Sequence, residues 1–274
     1  MGTFLGRMIL CGFLAAGLAA GAASAADKDK ADPWPRLSQM LFGDRPIKED
    51  AGAVVVLEAP DRAEDAAVVP VAIRTRLEQT PEKYIRKIYL IIDRNPSPVG
   101  VVFTLTPESG KADLETRVRI EEYTHVRAIA ETNDGGLYMA AKFVKASGGC
   151  SAPAGKDLEA AMARLGKMKF RVDKEVAYNQ PNQAQLMISH PNISGLAMDQ
   201  LTRLYPQPHF VRKIDVSYAG RTILTAEVDF TISENPNFRF YFVPRGEGEL
   251  KAEVVDTNDL RFETSVAIRG GPGS

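Results

Sequence analysis

The chain has 274 residues, and its 34 lysine and arginine residues nearly balance 35 aspartate and glutamate residues, which leaves a formal net charge of −1. Basic and acidic residues alternate along the chain and form no basic stripe, so nucleic acid is excluded as the expected partner. After residue 25, no apolar run approaches the roughly 20 residues of a membrane-spanning helix, so no membrane span is expected once a leader is removed.

Residues 1–25 have the features of a secretory signal peptide. Arg7 is followed by an apolar run that begins at Met8, and Ala23-Ser24-Ala25 forms an A-x-A cleavage site. An uncleaved membrane anchor is the alternative, but the run is short for a span and is interrupted by glycines. Cleavage predicts a periplasmic protein. It would remove Cys11 and leave Cys150 as the single cysteine, so no intramolecular disulfide is expected.

The first part of the processed chain consists of short β-branched runs separated by turn residues. Turn signals such as Asn133-Asp134-Gly135-Gly136 recur at a spacing typical of a β-sandwich. We therefore predict a sandwich domain over residues 41–147. Its seven predicted strands are Ala53–Ala59, Ala67–Thr75, Lys87–Asp93, Val99–Thr106, Leu114–Tyr123, His125–Thr132 and Leu137–Ala146.

After the cysteine segment, the spacing of apolar residues changes to the period of a helix. Apolar residues from Leu158 to Met168 recur at helical spacing, and Asp157 is a candidate N-cap, so a helix of about three turns with an apolar packing face is predicted. This helix and the loop before it form a predicted linker over residues 148–180.

A second β-rich block follows the linker, which predicts another sandwich over residues 181–270. The fold class is thus all-β, with two tandem immunoglobulin-like sandwiches joined by a loop and a short helix. The strands predicted in this block are Ala184–His190, Val211–Tyr218, Thr222–Ser233, Phe238–Val243, Glu249–Asp256 and Arg261–Ile268.

Familiar enzyme motifs are missing from the sequence, which has no G-x-S-x-G, phosphate-binding glycine loop or H-E-x-x-H. His125, His190 and His209 are scattered, so neither a metal nor a cofactor is predicted. Sequence alone leaves open whether one of them meets Cys150 in space. Carboxylate pairs such as Glu121-Glu122 are explained by solvation. The protein is therefore predicted not to be an enzyme.

Cys150 has an unusual setting among small residues. Gly148 and Gly149 precede it, and Ser151, Pro153 and Gly155 follow it, so the segment is predicted to be a flexible arm that exposes the thiol. A collar of small side chains lets a sulfur enter a narrow pocket of another protein. The alternative is a flexible linker in which the cysteine has no functional role.

The run from Ile91 to Phe103 and the run from Ala128 to Cys150, which ends in Gly-Gly-Cys, resemble the SoxY half of the SoxYZ sulfur carrier of thiosulfate oxidation. The stretches Met187–Gly195, Pro208–Ile223 and Ser233–Phe242 resemble its SoxZ half. The SoxY-then-SoxZ order in one chain is similar to fused carriers associated with quinoprotein (PQQ-dependent) dehydrogenases. The resemblance implies that Cys150 holds sulfur intermediates covalently while periplasmic enzymes act on them.

One departure from the family concerns the tether. The family's cysteine lies on a free C-terminal tail, whereas here Ser151 and Pro153 lead on to a helix and another domain, so the reach is expected to be shorter. The leading hypothesis is a carrier for sulfur-oxidising or quinoprotein dehydrogenase-system enzymes. The alternatives are a docking module of a quinoprotein dehydrogenase with an incidental cysteine, and a thiol redox protein whose resolving cysteine comes in trans.

Overall fold

The structure is a computed structural model, and it describes Gly2 and residues 31–49, 52–153, 158–173, 175–199 and 202–269. Apart from Gly2, the predicted signal peptide lies outside the described residues, as do Gly155 and Asp157. No helix within the described residues is long and apolar enough to cross a membrane.

The chain forms two helices, one short 3-10 helix and fifteen strands within the described residues, so the all-β prediction is confirmed. The helices are α1 (Trp34–Phe42) and α2 (Leu158–Met162), and the 3-10 helix spans Pro107–Ser109. The strands of the first half are β1 (Ile47–Glu49), β2 (Val55–Glu58), β3 (Val69–Thr75), β4 (Ile85–Ile92), β5 (Val99–Leu105), β6 (Leu114–Val118), β7 (Thr124–Thr132) and β8 (Leu137–Val144). Those of the second half are β9 (Met168–Val172), β10 (Asn182–Ile188), β11 (Val211–Tyr218), β12 (Arg221–Val228), β13 (Asn237–Phe242), β14 (Gly248–Asp256) and β15 (Arg261–Ile268).

Both halves contribute strands to the same two sheets. A nine-stranded sheet has the order β1-β8-β7-β4-β5-β12-β11-β14-β15, and a six-stranded sheet has the order β2-β3-β6-β13-β10-β9. The halves meet where β5 pairs antiparallel with β12, from Leu105 opposite Leu224 to Val101 opposite Val228. In the other sheet β6 meets β13 at Glu115 and Arg239. We call this line of contact between the halves the seam.

One hydrophobic core runs through both halves between the two sheets. Buried side chains of the first half, including Phe103 and Leu105, and of the second half, including Phe238 and Phe240, belong to the same cluster, and the rings of Phe103 and Phe238 lie 5.9 Å apart, edge to face. Alternation of buried and exposed residues along strands such as β3 and β13 supplies this core, because successive side chains point to opposite faces.

A second, smaller cluster lies on the outer face of the nine-stranded sheet. There α1 packs Leu37 and Phe42 against Ile91, Ile129 and Leu137 of the first half. The helix thus covers apolar side chains of β4 and β7, two strands that are buried on both faces over part of their length.

The helix predicted after the cysteine segment is much shorter than expected. α2 ends at Met162, and Met168, which was assigned to the helical stripe, begins β9 instead. The predicted packing face is also wrong, since Leu158 and Met162 are 44% and 40% exposed. The reason is that five residues form little more than one turn, while pairing of β9 with β10 takes over the chain from Met168. β9 lies within the region predicted as linker.

Candidate functional site

The cysteine segment leaves the end of β8 and runs along the chain that follows β6. The Gly148 amide donates to the Glu121 carbonyl oxygen over 2.8 Å, and the Gly149 amide donates to the Ile120 carbonyl oxygen over 2.9 Å. Gly148 has φ 80°, a conformation that favours glycine. A Cβ atom at Gly149 would overlap the carbonyl oxygen of Ala66. The two glycines therefore allow close packing here.

Cys150 is buried, with 0% of its surface exposed, so the predicted exposed thiol is wrong for this structure. Its amide donates to Oε2 of Glu121 over 2.9 Å, and its carbonyl oxygen accepts from the Ser194 hydroxyl over 2.7 Å. Glu121 belongs to the first half and Ser194 to the second. Cys150 thus lies at the seam and is held from both sides.

Glu121 acts as a clamp on the residues around the sulfur. Its Oε2 also accepts from the Ser151 amide over 3.1 Å, and its Oε1 accepts from the Ser151 hydroxyl over 2.9 Å. Asn95 orients this stretch, because its Oδ1 accepts from the Glu121 amide and its Nδ2 donates to the Arg119 carbonyl oxygen. Together these hydrogen bonds hold Gly148, Gly149 and Ser151 against the folded domain. The free arm predicted from the sequence is therefore not the state observed.

The remaining predicted arm residues add little to this clamp. No described contact of the Pro153 side chain holds it to the body, and Gly155 lies outside the described residues.

The surroundings of the thiol make it a poor nucleophile in this position. Burial, and secondly the negative charge of Glu121, raise the pKa of Cys150 to about 12, while the positive charge of Arg119 acts in the opposite direction. At neutral pH the thiol is therefore protonated, and a thiol reacts as a nucleophile through its thiolate. Reaction at Cys150 requires the segment to leave its seat or its environment to change.

Arg119 is the cation beside the thiol and lies across the seam. Its side chain is buried, and its Nη1 donates to the carbonyl oxygens of Phe230 and Ile232 over 2.7 and 3.1 Å. Burial lowers its pKa from the usual range, and the charges of Cys150 and Glu234 raise it in part. Arg119 thereby joins the chain after β6 to the turn before β13.

The histidines do not meet the sulfur among the described residues. His125 is exposed and lies edge to face against Phe143, with ring centroids 5.2 Å apart. His190 and His209 are buried with their rings edge to face, 4.8 Å apart, and their Nε2 atoms lie 3.5 and 2.8 Å from Oδ2 of Asp256.

The distances in the cluster of His190, His209 and Asp256 are within reach of a metal ion, since one ligand atom from each residue lies within 4.8 Å of the others. The hydrogen bonds argue against ligation. The Asn192 amide donates to Nδ1 of His190, which places the proton of a neutral ring on Nε2, the atom that would face the metal. Burial and the charge of His209 lower the pKa of His190 to about 4, so this ring is neutral at physiological pH.

Sequence reasoning missed Arg119, Glu121 and Ser194. Glu121 had been attributed to a solvated pair, and its role depends on a contact with residues 29 and 30 positions later in the chain. Ser194 lies within a stretch that carries the SoxZ resemblance, but nothing local marks it as a contact of Cys150. The signal that did identify the site was the Gly-Gly-Cys triplet.

The fold and site define an all-β protein in two joined halves whose one described cysteine is held at their seam. Family models name these halves. Residues 38–150 match "Sulfur oxidation protein SoxY", a match that ends at Cys150, and residues 169–267 match "Sulphur oxidation protein SoxZ". The chain belongs to the SoxY and SoxZ families, with the two domains fused in that order. SoxY and SoxZ proteins are sulfur carriers that work with partner enzymes, so membership supports a carrier role in sulfur oxidation.

Other comparisons add no functional information. No curated protein matches the chain. Among solved structures, a superoxide reductase (neelaredoxin) from Ignicoccus hospitalis is 23% identical, with 35% of this chain and 81% of that one covered and a TM-score of 0.31. A putative superoxide reductase from Thermotoga maritima is 23% identical, with 36% and 92% covered and a TM-score of 0.30. A glycosyl hydrolase family 2 member from Bacteroides cellulosilyticus is 11% identical, with 85% and 30% covered and a TM-score of 0.23.

Proposed function

We propose that this protein is a periplasmic carrier that holds a sulfur-containing intermediate covalently on Sγ of Cys150 and presents it to partner enzymes. The observation that carries the proposal is the position of Cys150. It is the last residue of the SoxY match, it follows the Gly148-Gly149 pair, and it lies where both halves contact one short segment. Periplasmic location rests on the signal peptide predicted from the sequence at residues 1–25.

Two reactions can attach sulfur to Cys150, and they differ in the oxidation state of the incoming sulfur compound. When the incoming intermediate contains a sulfur–sulfur bond, the Cys150 thiolate attacks one sulfur, a new S–S bond forms, and the displaced sulfur leaves with the electron pair. When the intermediate is a reduced sulfur compound, bond formation releases two electrons, which an oxidoreductase partner must accept. In both cases the thiol first loses its proton, so the segment must leave the seat in which the pKa is about 12.

Intact-mass measurement tests the proposal directly. Protein isolated from cells growing on a reduced sulfur compound, without added reductant, should carry adducts that dithiothreitol removes. The matched variant Cys150→Ser should carry none of them. A single unmodified mass for the wild-type protein under these conditions would contradict the carrier role.

The partner class is a separate part of the proposal. We propose sulfur-oxidising enzymes as partners, and enzymes of a quinoprotein dehydrogenase system as further candidates because of the sequence resemblance to fused carriers associated with such dehydrogenases. One observation favours the alternative of a docking module with an incidental cysteine, namely that the thiol is buried and protonated. Affinity capture from periplasm separates the two functions. If Cys150→Ser retains the partner but loses the sulfur-dependent activity, the carrier role is supported; if both are retained, docking alone is supported.

A further inference from the structure

Arg119 differs from the other buried charged side chains of the described residues. Asp93 pairs with Arg127, Asp113 pairs with Lys111, and Glu131 is contacted by two arginines. Asp256 lies between two histidines. Arg119 is 4% exposed, yet within the described part of the chain no carboxylate lies within ion-pair distance of it. Glu234 acts on Arg119 only through its charge and forms no ion pair with it. A buried charge without an ion-pair partner is costly, so this position calls for an explanation.

The Arg119 guanidinium also has N–H donors that form no hydrogen bond with the described residues. It carries five N–H groups, and the structure gives hydrogen bonds for Nη1 only, to the carbonyl oxygens of Phe230 and Ile232. Nε and Nη2 are not among the fully buried atoms without a partner, so they reach the accessible surface and retain the pair of N–H directions with which arginine binds oxyanions in a bidentate manner. The backbone holds Arg119 close to Cys150, because the carbonyl oxygen of Ile120, the next residue, accepts from the amide of Gly149, the residue before the cysteine, over 2.9 Å. The charge of Arg119 also acts on the ionisation of the thiol.

The charges around Sγ of Cys150 affect an anionic group bound to the sulfur differently from a neutral one. Glu121 holds the backbone of the segment whatever the state of the sulfur, because it binds the amides of Cys150 and Ser151. Its negative charge disfavours a second anion nearby. Among the described residues, the charges that act on Cys150 are the carboxylates of Glu121 and Asp229 and one cation, Arg119. An anionic group on Sγ therefore needs Arg119 to remain at the seam, whereas a neutral group does not.

We propose that Arg119 is the specificity-determining residue that retains a negatively charged group on Cys150 at the seam and discriminates it from a neutral group of the same size. The inference rests on the proposed carrier function and adds to it a residue and a charge preference. The charge contrast also separates it from a structural role, because a clamp between the halves would treat the two groups alike.

Two nearly isosteric thiol adducts provide the test. In protein carrying Cys11→Ser, Cys150 is alkylated in mild denaturant with iodoacetate, which leaves an anionic carboxymethyl group, or with iodoacetamide, which leaves a neutral carbamidomethyl group. After return to native buffer, hydrogen exchange of a peptide that covers Gly148 to Ser151 reports how firmly the segment is held. We expect exchange about tenfold slower for the anionic adduct, as for a hydrogen bond between charged groups.

The variants Arg119→Met and Arg117→Met form a matched pair. Arg117 is an exposed arginine two residues away, so its replacement removes the same charge from the neighbourhood but not from the seam. The tenfold difference should vanish in Arg119→Met and persist in Arg117→Met. Arg119→Lys keeps the charge without the fork and should retain a reduced difference, which provides a readout if Arg119→Met does not fold.

Equal exchange of the two wild-type adducts, or a difference that survives Arg119→Met, would overturn the inference. Its failure is distinguishable from failure of the carrier function. Sulfur adducts on Cys150 in cells together with equal exchange would refute only the role of Arg119. A clear charge preference in a protein that never carries an adduct would refute the carrier function instead.

Discussion

Replacing Glu121 by alanine should release the cysteine segment. The substitution removes three hydrogen bonds, from the Cys150 amide, the Ser151 amide and the Ser151 hydroxyl. A net hydrogen bond contributes about 1 kcal/mol, and water partly replaces those at the exposed Ser151, so the loss is about 2 kcal/mol. Because about 1.4 kcal/mol corresponds to a factor of ten, the undocked state should become about thirtyfold more populated.

The rate at which Cys150 reacts with a chromogenic aromatic disulfide measures this population, since the buried thiol reacts only when the segment opens. We expect Glu121→Ala, in a Cys11→Ser background, to react about thirtyfold faster than its parent at neutral pH. Glu121→Gln keeps the shape and one oxygen acceptor and should fall between the two. Glu227→Ala, which removes an exposed carboxylate of β12, serves as the control and should react at the parental rate. Equal rates for Glu121→Ala and its parent would refute the clamp.

Three further predictions concern pH, packing and cooperativity. Burial raises the pKa of Cys150 to about 12, so the docked state is favoured below the ordinary thiol pKa of about 8.5 and is lost as pH rises toward 12. The rate at which the native protein reacts should therefore keep rising above pH 9. The rate for urea-unfolded protein should instead level off near the ordinary thiol pKa. Gly149→Ala should displace the segment, because its Cβ would overlap the Ala66 carbonyl oxygen, and should give a fast-reacting thiol even at neutral pH; a slow thiol would contradict the packing argument. Since the halves share one core, urea unfolding followed by fluorescence of Trp34, the single tryptophan, should coincide with unfolding followed by circular dichroism, and separate midpoints would contradict a common core.

Local patterns were sufficient to predict the all-β class and most of the strands, though not β1 or β9, because alternation and turn residues act over a few positions. Strand β3 and strand β13 alternate buried and exposed residues in the manner that the sequence suggests. Pairing between the halves was not predictable in the same way. The contact of Leu105 with Leu224 joins residues far apart in the chain, and no local feature distinguishes a strand that pairs within its own half from one that pairs across the seam.

The site shows the same division between local and distant information. The sequence identified Cys150 but not its environment. Small neighbours were interpreted as signs of mobility, yet Gly149 is needed because the chain approaches Ala66 too closely for a side chain. Small residues permit both a free arm and a tightly packed one. Only the partners Glu121 and Ser194, which come from elsewhere in the chain, decide which of the two is observed.

Between the described backbone anchors Lys145 and Gly166, the stretch of chain on the N-terminal side of the cysteine is the shorter one. Lys145 is anchored through its amide to Asp61, so residues 146–150 extend at most about 16 Å. On the other side the Gly166 amide donates to the Ser189 carbonyl oxygen, and residues 151–165 are long enough to span about 40 Å with α2 intact. The path from the end of β6 across β13 and β10 to β9 is only about 14 Å, three strand spacings. A short Gly-Ser insertion after Pro153 should therefore leave delivery to a partner enzyme unchanged, whereas deletion of Ala146 and Ser147 should abolish it. Loss of delivery with the insertion, measured as the rate at which partner enzymes remove the adduct, would show that the fused tether sets the reach.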